Sequence, residues 1–181
     1  MRLTTQAPSE ANWVKETYVV QNMDLNSRKM TLRLLSNGVY IITSRDGDHF
    51  GAATVTWLSQ ASFNPPLLMA AIRPESNVFR CLTHSCVAAI HIVDCSQKSI
   101  AQRFFTPTSV AAGTINGEPY RNGTTSAPIL QNFGAHVECR VRRIIQGEGD
   151  HALILMEVID AECRAPVQPL TIRESPWQYG G

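Results

Sequence analysis

Three short stretches of this sequence combine residue types that could build a binding site. The first is Gly51 to Leu68, GAATVTWLSQASFNPPLL, where small side chains run through a β-like segment that breaks at Pro65-Pro66. Small side chains leave backbone N–H and C=O groups accessible. Ala52, Ala53, Thr54 and Val55 could therefore offer a planar ring of the flavin kind both an apolar wall and polar groups for its edge. A tightly packed barrel strand with no ligand has the same composition. The second stretch is Arg73-Pro74-Glu75-Ser76-Asn77, which follows a strand and opens a helix that Ser76 is suited to cap. Free N–H groups, the helix dipole and the Arg73 guanidinium all favour an anion such as a phosphate there; an ordinary capped helix beside a surface arginine reads the same way. The third is Gly147-Glu148-Gly149-Asp150-His151, a turn that delivers a histidine to the start of a strand with a carboxylate beside it.

Other chemistries find little support. Cys81, His84, Cys86, His91 and Cys95 look superficially like metal ligands, but their spacings match no structural zinc pattern and they straddle a helix, a turn and a strand, so no metal site is expected. There is no G-x-S-x-G nucleophile elbow, no G-x-G-x-x-G dinucleotide turn and no Walker-type phosphate loop. With 16 Lys+Arg against 15 Asp+Glu the formal net charge is +1, so no field of one sign invites nucleic acid or an anionic membrane. No stretch approaches the roughly 20 apolar residues of a membrane span. Five cysteines, an odd number with no secretion signal preceding them, suit a reducing compartment, and a cytoplasmic location is expected.

The elements that must position these stretches are mostly strands. A chain of 181 residues with 44% hydrophobic content suits one domain with a single sizeable core. Residues 1–25 lack periodicity and read as an N-terminal arm. From Ser27 the pattern is helical, with Met30, Leu34 and Leu35 on one side and Gly38 placed as a left-handed cap. β-like runs follow at Val39 to Ser44, Gly51 to Leu58, Leu67 to Ile72 and Val87 to Val93, with Asp46-Gly47-Asp48 as a turn between the first two. Helices are expected over Ser76 to His84 and Ser96 to Phe105, and a long loop over Thr106 to Pro128. AHVECRVRRI alternates, placing Val137, Cys139 and Val141 on one face and His136, Glu138, Arg140 and Arg142 on the other, as in a half-exposed strand. The GEGD turn then pairs it with the apolar run His151 to Ile159. Hairpin order with few helices favours a mainly β fold, a closed antiparallel barrel with peripheral helices.

The ordered strings NGVYIITS, GAATVTWLSQASFNPPLL, RPES, AQRFF, GEGDH and the terminal WQYGG resemble the flavin reductase family of FMN-binding split-barrel proteins, including its flavoredoxin-like members and the reductase domain of some flavodiiron proteins. The resemblance runs from about Met30 to Gly181. It implies a six-stranded antiparallel Greek-key split barrel over 26–165 with a tail, 166–181, packing near the site. It further implies a homodimer with FMN or FAD held near the subunit interface and reduced by NADH or NADPH, with electrons passed to an acceptor such as a partner monooxygenase. The alternative within the family is an electron-transfer flavoprotein that retains FMN. On this chain the resemblance places the ring and ribityl chain along Ala53 to Trp57 and Gln60-Ala61-Ser62, and the phosphate on Arg73, Ser76 and Asn77. It sets His151 at the nicotinamide face or, alternatively, in a structural hydrogen bond, and lets Tyr179 either cover the site or fill a surface groove. Where the family often has Asn in the strand Ala89-Ile90-His91-Ile92, this chain has His91.

Overall fold

A computed structural model describes residues 23–180, so nearly all of the expected arm lies outside the described residues. The described chain runs α1 (Leu25–Leu32), β1 (Tyr40–Asp46), β2 (His49–Val55), β3 (Leu58–Ser62), β4 (Leu67–Ile72), α2 (Asn77–Ser85), β5 (Val87–Ile92), a short 3-10 turn (Cys95–Gln97), α3 (Lys98–Arg103), β6 (Val110–Ala111), β7 (Thr114–Ile115), β8 (Glu118–Asn122), β9 (Pro128–Leu130), β10 (Ala135–Ile145) and β11 (Ala152–Cys163). Seven strands pair antiparallel in the order β2-β1-β5-β10-β11-β4-β3, and four short ones form a second sheet, β6-β7-β8-β9.

The expected six-stranded closed barrel is corrected in number and closure: the large sheet has seven strands and its ladder is open, with β2 and β3 as edges. Those edges are consecutive in the chain, separated by Thr56 and Trp57 alone. What reads in sequence as one run changes partners: Val55 pairs with Tyr40 of β1, and Leu58 pairs with Ala70 of β4. A strand that leaves one neighbour for another gives up ladder bonds at the crossing, and that break is the split.

Two cores lie on opposite sides of β1, which explains its unbroken apolar run. One gathers Ile42, Val55, Ile72, Ile90, Ile154 and Met156 around Val78, Phe79 and Leu82 of α2. α2 begins at its Ser76 cap, whose hydroxyl accepts from Phe79 N (3.2 Å). Gly51 admits it: a Cβ there would stand 2.4 Å from Val78 Cα. The other core joins Ile41 and Ala52 to Phe104 at the end of α3, to Ile115, Leu130 and Phe133, and to Leu170 of the tail. Leu170 is locked by Val39 N to Leu170 O and Leu170 N to Val93 O, each 2.8 Å.

Three further expectations change. Thr106 to Pro128 is not a loop; its glycines and asparagine turn strands of two to five residues, too short to show a period in sequence. The face of β10 read as exposed buries His136 and Glu138, because the small sheet covers it. α1 is capped by Asp24 and ends at Leu32, before Gly38, and none of its residues is buried. Gly38 instead bridges Thr171. The β1–β2 and β10–β11 hairpins, α2 and the helical segment ending at Arg103 fall where the sequence places them.

Candidate functional site

At the split, where β2 hands over to β3, lies a cavity of about 600 Å³. Ala53, Thr54 and Val55 of β2 and the crossing residues Thr56 and Trp57 form one wall. The end of β4 (Ala71, Ile72), Arg73 and Ser76 form the next; Phe104 and Phe105, His151, Val39, and Ile172 and Trp177 to Tyr179 of the tail complete the lining. Each is delivered by an ordinary structural cause. The Thr54 hydroxyl donates to Ala101 O (2.7 Å) and its N–H to Phe104 O (3.2 Å), which ties the end of α3 to β2 and brings both phenylalanines to the rim. Ala71 N donates to Trp57 O (2.9 Å), fixing the crossing against β4.

The lining is apolar and aromatic with few polar groups, the usual character of a small-molecule site. Trp57 is its centre: its ring lies 4.6 Å from the His151 ring and 5.5 Å from the Tyr179 ring, both tilted, while Trp177 meets Phe105 edge-on at 4.9 Å. The His151 side chain is largely buried, and Nδ1 lies 2.9 Å from Asp150 Oδ1, a contact that also holds the Asp150 carboxyl below its usual range. Thr56 Oγ1 is buried with no hydrogen-bond partner among the described residues. A buried hydroxyl left unpaired is unfavourable by about 1–3 kcal/mol, and of the two unpaired buried side-chain polar atoms among the described residues, Thr56 Oγ1 and His136 Nδ1, only the first belongs to a residue of the cavity lining.

At the polar end, Ser76 Oγ donates to Arg73 O (2.8 Å), folding the RPES turn so that Arg73 stands beside the start of α2. Arg73 makes only a loose, exposed contact of 3.8 Å with Glu75, and the N–H groups of Asn77 and Val78 have no intrahelical acceptor.

Of the residues singled out in sequence, the fold brings Ala53, Thr54, Val55, Trp57, Arg73, Ser76, His151 and Tyr179 to this cavity. Ala52 points instead into the second core, and its N–H already donates to Thr108 Oγ1 (2.9 Å). Gln60, Ala61 and Ser62 follow β3 away from the split; the Gln60 amide donates to Ser62 O (3.3 Å). Asn77 lines a neighbouring hollow with Arg80 and Thr83 and accepts from Arg80 Nη2 (3.3 Å). His91, the departure noted in β5, is fully buried: Nδ1 pairs with Ile41 O (3.1 Å) and Nε2 accepts from Leu130 N (2.9 Å), and burial pushes its pKa down to about 3. Thr56 lies within the run Ala53 to Trp57 expected along the ring, whereas sequence reasoning missed Ala71, Phe104, Phe105 and Trp177. AQRFF and WQYGG, already singled out as strings, carried the aromatics.

Comparison with known proteins follows the same geometry. The flavin reductase like domain family matches residues 32–175. Diflavin flavoprotein A 1 of Synechocystis is 26% identical over 140 residues, covering 77% of this chain but 24% of that protein, so the chain spans about a quarter of such relatives. A flavin reductase (NADH) of Kitasatospora aureofaciens is 28% identical over 128 residues, 69% of this chain and 65% of the relative. The solved structure of the styrene monooxygenase flavin reductase from Pseudomonas putida shares the fold with a TM-score of 0.68 at 22% identity, covering 81% of this chain and 91% of that one. With the family model spanning most of the chain and an apolar cavity opened by the split between β2 and β3, this protein belongs to the flavin reductase like domain family.

Proposed function

We propose that the cavity at the split binds a flavin, FMN in the first instance, and that the protein passes electrons to it from NADH or NADPH. The observation that carries this reading is the pairing of a flat apolar wall with the unpaired buried hydroxyl of Thr56, a donor set that a planar ring with a polar edge completes. A bound flavin supplies the redox chemistry that side chains of this kind do not.

The chain's own residues bind, orient and exclude water. Ala53 to Trp57 form the wall. Arg73 exchanges its loose contact with Glu75 for the phosphate, together with the N–H of Asn77, while Ser76 is already spent in capping. Tyr179 and Trp177 close the open side. His151, wedged between Trp57 and Asp150, holds the nicotinamide in place, a role of position rather than of proton transfer. Ala52 and Gln60 to Ser62 do not line the cavity of the single chain and are given no part in this assignment. A homodimer belongs to the same reading. The outer face of β4 and β11 exposes Met69 and Leu153 beside Ala71, which also lines the cavity, and a second copy covers this apolar sheet and the flavin together. The acceptor is a partner monooxygenase, as the name of the styrene monooxygenase reductase suggests by analogy, or another electron-acceptor protein.

The second reading is a flavoprotein that retains FMN and relays electrons without turning over free flavin, favoured by the likeness to one quarter of a diflavin flavoprotein. One experiment tests both: NADH and NADPH oxidation with and without added FMN or FAD, alongside stopped-flow reduction of FMN-loaded His151→Ala. Turnover of added flavin supports the reductase, and a bound yellow flavin without such turnover supports the carrier. His151→Ala is expected to slow reduction about tenfold or more with FMN affinity nearly unchanged; an unaltered rate at every nicotinamide concentration removes His151 from the site.

A further inference from the structure

Arg33 lies outside the cavity, at the end of α1, yet it makes the two polar contacts that hold the tail across the cavity. Its Nε donates to Gly180 O (3.0 Å) and its Nη1 to Gln178 Oε1 (3.2 Å). Upstream, the tail is fixed by backbone bonds: Leu170 N to Val93 O, Ile172 N to Asn37 O, and Ser175 N to Thr171 O. After the bond from Trp177 N to Ser175 Oγ, no backbone–backbone bond holds Pro176 to Gly180 among the described residues. This last segment rests on the edge-on contact of Trp177 with Phe105, the tilted contact of Tyr179 with Trp57, and the Arg33 fork. It is therefore hinged at Ser175-Pro176 and can open without breaking any sheet hydrogen bond, giving up only the packing of Trp177 on the edge of the second core.

We propose that Arg33 is a positioning residue that latches Trp177 to Gly180 as a strap over the cavity, and that release of this latch sets how fast a flavin enters and leaves. The proposal rests on the flavin reading of the cavity and deepens it. A closed strap suits a retained FMN, whereas an opening strap suits flavin turnover. Arg33 is fitted to the task by its planar fork, which reaches a carbonyl and an amide at once where a lysine ammonium on the same stem lacks the paired geometry. Both acceptors are neutral, so the latch is not an ion pair and moderate salt leaves it closed. Its strength is modest, because all its partners are exposed and α1 buries none of its own residues.

The test uses the full chain labelled with 5-fluorotryptophan, the Trp177 resonance being assigned with Trp177→Phe. Arg33→Gln is expected to move the Trp177 fluorine signal of the ligand-free protein toward that of solvent-exposed tryptophan. It is also expected to speed FMN release about fivefold, the scale of losing two exposed hydrogen bonds. Gln178→Ala is expected to do the same more weakly, and combined with Arg33→Gln to add less than its separate effect, while Arg33→Lys recovers part of the loss. An unmoved Trp177 signal in Arg33→Gln overturns the latch. A moved signal with unchanged FMN release overturns its control of exchange. If the unsubstituted protein takes up no flavin, the reading of the cavity fails and the exchange role falls with it, while the Trp177 signal still shows separately whether Arg33 holds the strap.

Discussion

Two polar seams run through this protein, and they are finished differently. Where the small sheet docks on the large one, the buried polar groups have protein partners with one exception among the described residues, His136 Nδ1. The Thr43 hydroxyl donates to Pro128 O (2.6 Å) and His91 Nε2 accepts from Leu130 N (2.9 Å). The Glu138 carboxylate, buried on β10, accepts from Thr124 N (2.9 Å), Thr125 N (2.7 Å) and the Thr125 hydroxyl (2.6 Å). At the split between β2 and β3, by contrast, Thr56 Oγ1 is buried and unpaired, Arg73 is held only by a long contact, and the space between them is open. A nearly satisfied seam holds the fold together, whereas one that is open beside its unpaired group leaves hydrogen-bonding capacity for a ligand.

The comparison breaks most sharply at Glu138. Glu138→Ala is expected to destabilise the protein by about 4 kcal/mol, since it strands three donors facing a buried site, while flavin affinity of the folded protein stays the same. Chemical denaturation and a flavin titration measure the two effects, and a change in affinity without a change in stability would reverse the roles given to the seams.

His91 supplies the next effect. Its pKa in the fold, about 3, lies below its ordinary 6.5 because burial disfavours the charged ring. Below 6.5 the unfolded chain therefore binds a proton that the folded chain refuses. The stability His91 contributes is fully present above pH 6.5 and is lost as pH falls toward 3. Between pH 7 and 4 the loss is about 3 kcal/mol. Asp94, Asp150 and Asp160, held below their usual range chiefly by side-chain hydrogen bonds from Ser96, His151 and Thr124, act in the same direction. The diagnostic quantity is thus the difference between the unsubstituted protein and His91→Gln, whose denaturation midpoint is expected to depend less on pH. Equal slopes would show that His91 is not the titrating group.

The incomplete seam is expected to respond in ligand affinity instead. Arg73→Ala weakens FMN about tenfold and riboflavin hardly at all, as only FMN carries the phosphate. Parallel calorimetric titrations decide the point, and equal losses would take Arg73 off the phosphate. The smallest effect is the most discriminating one. Thr56→Val removes an unpaired hydroxyl at nearly constant volume, so the ligand-free protein is expected to be stabilised by about 0.5–1 kcal/mol while FMN binding weakens a few-fold. If stability instead falls, the hydroxyl already has a partner in the fold and the contrast between the seams dissolves.

Much of this was legible in one dimension. Short apolar runs marked β4 and β11, alternation marked β10, Gly47 with Asp48 set the turn of β1 into β2, and Ser76 set the start of α2, because turn chemistry and capping act over a few neighbouring residues. The strings that carry the family resemblance pointed to Trp57, Arg73, His151 and Tyr179, all of which line one cavity. The partner exchange of the strand at Thr56-Trp57 was not legible, since GAATVTWL alternates straight through it and nothing local says that β1 gives way to β4. Nor was the burial of His136 and Glu138, whose alternation is that of an exposed face until strands of two to five residues fold over it. The sequence by itself determined the strands, the turns and the residue types available to a site, because these follow from backbone preference and local period. Only the tertiary structure decided which of them meet. Whether Thr56 has a partner, whether Gln60 lines the cavity, and whether Arg33 reaches Gly180 depend on contacts between segments far apart in the chain.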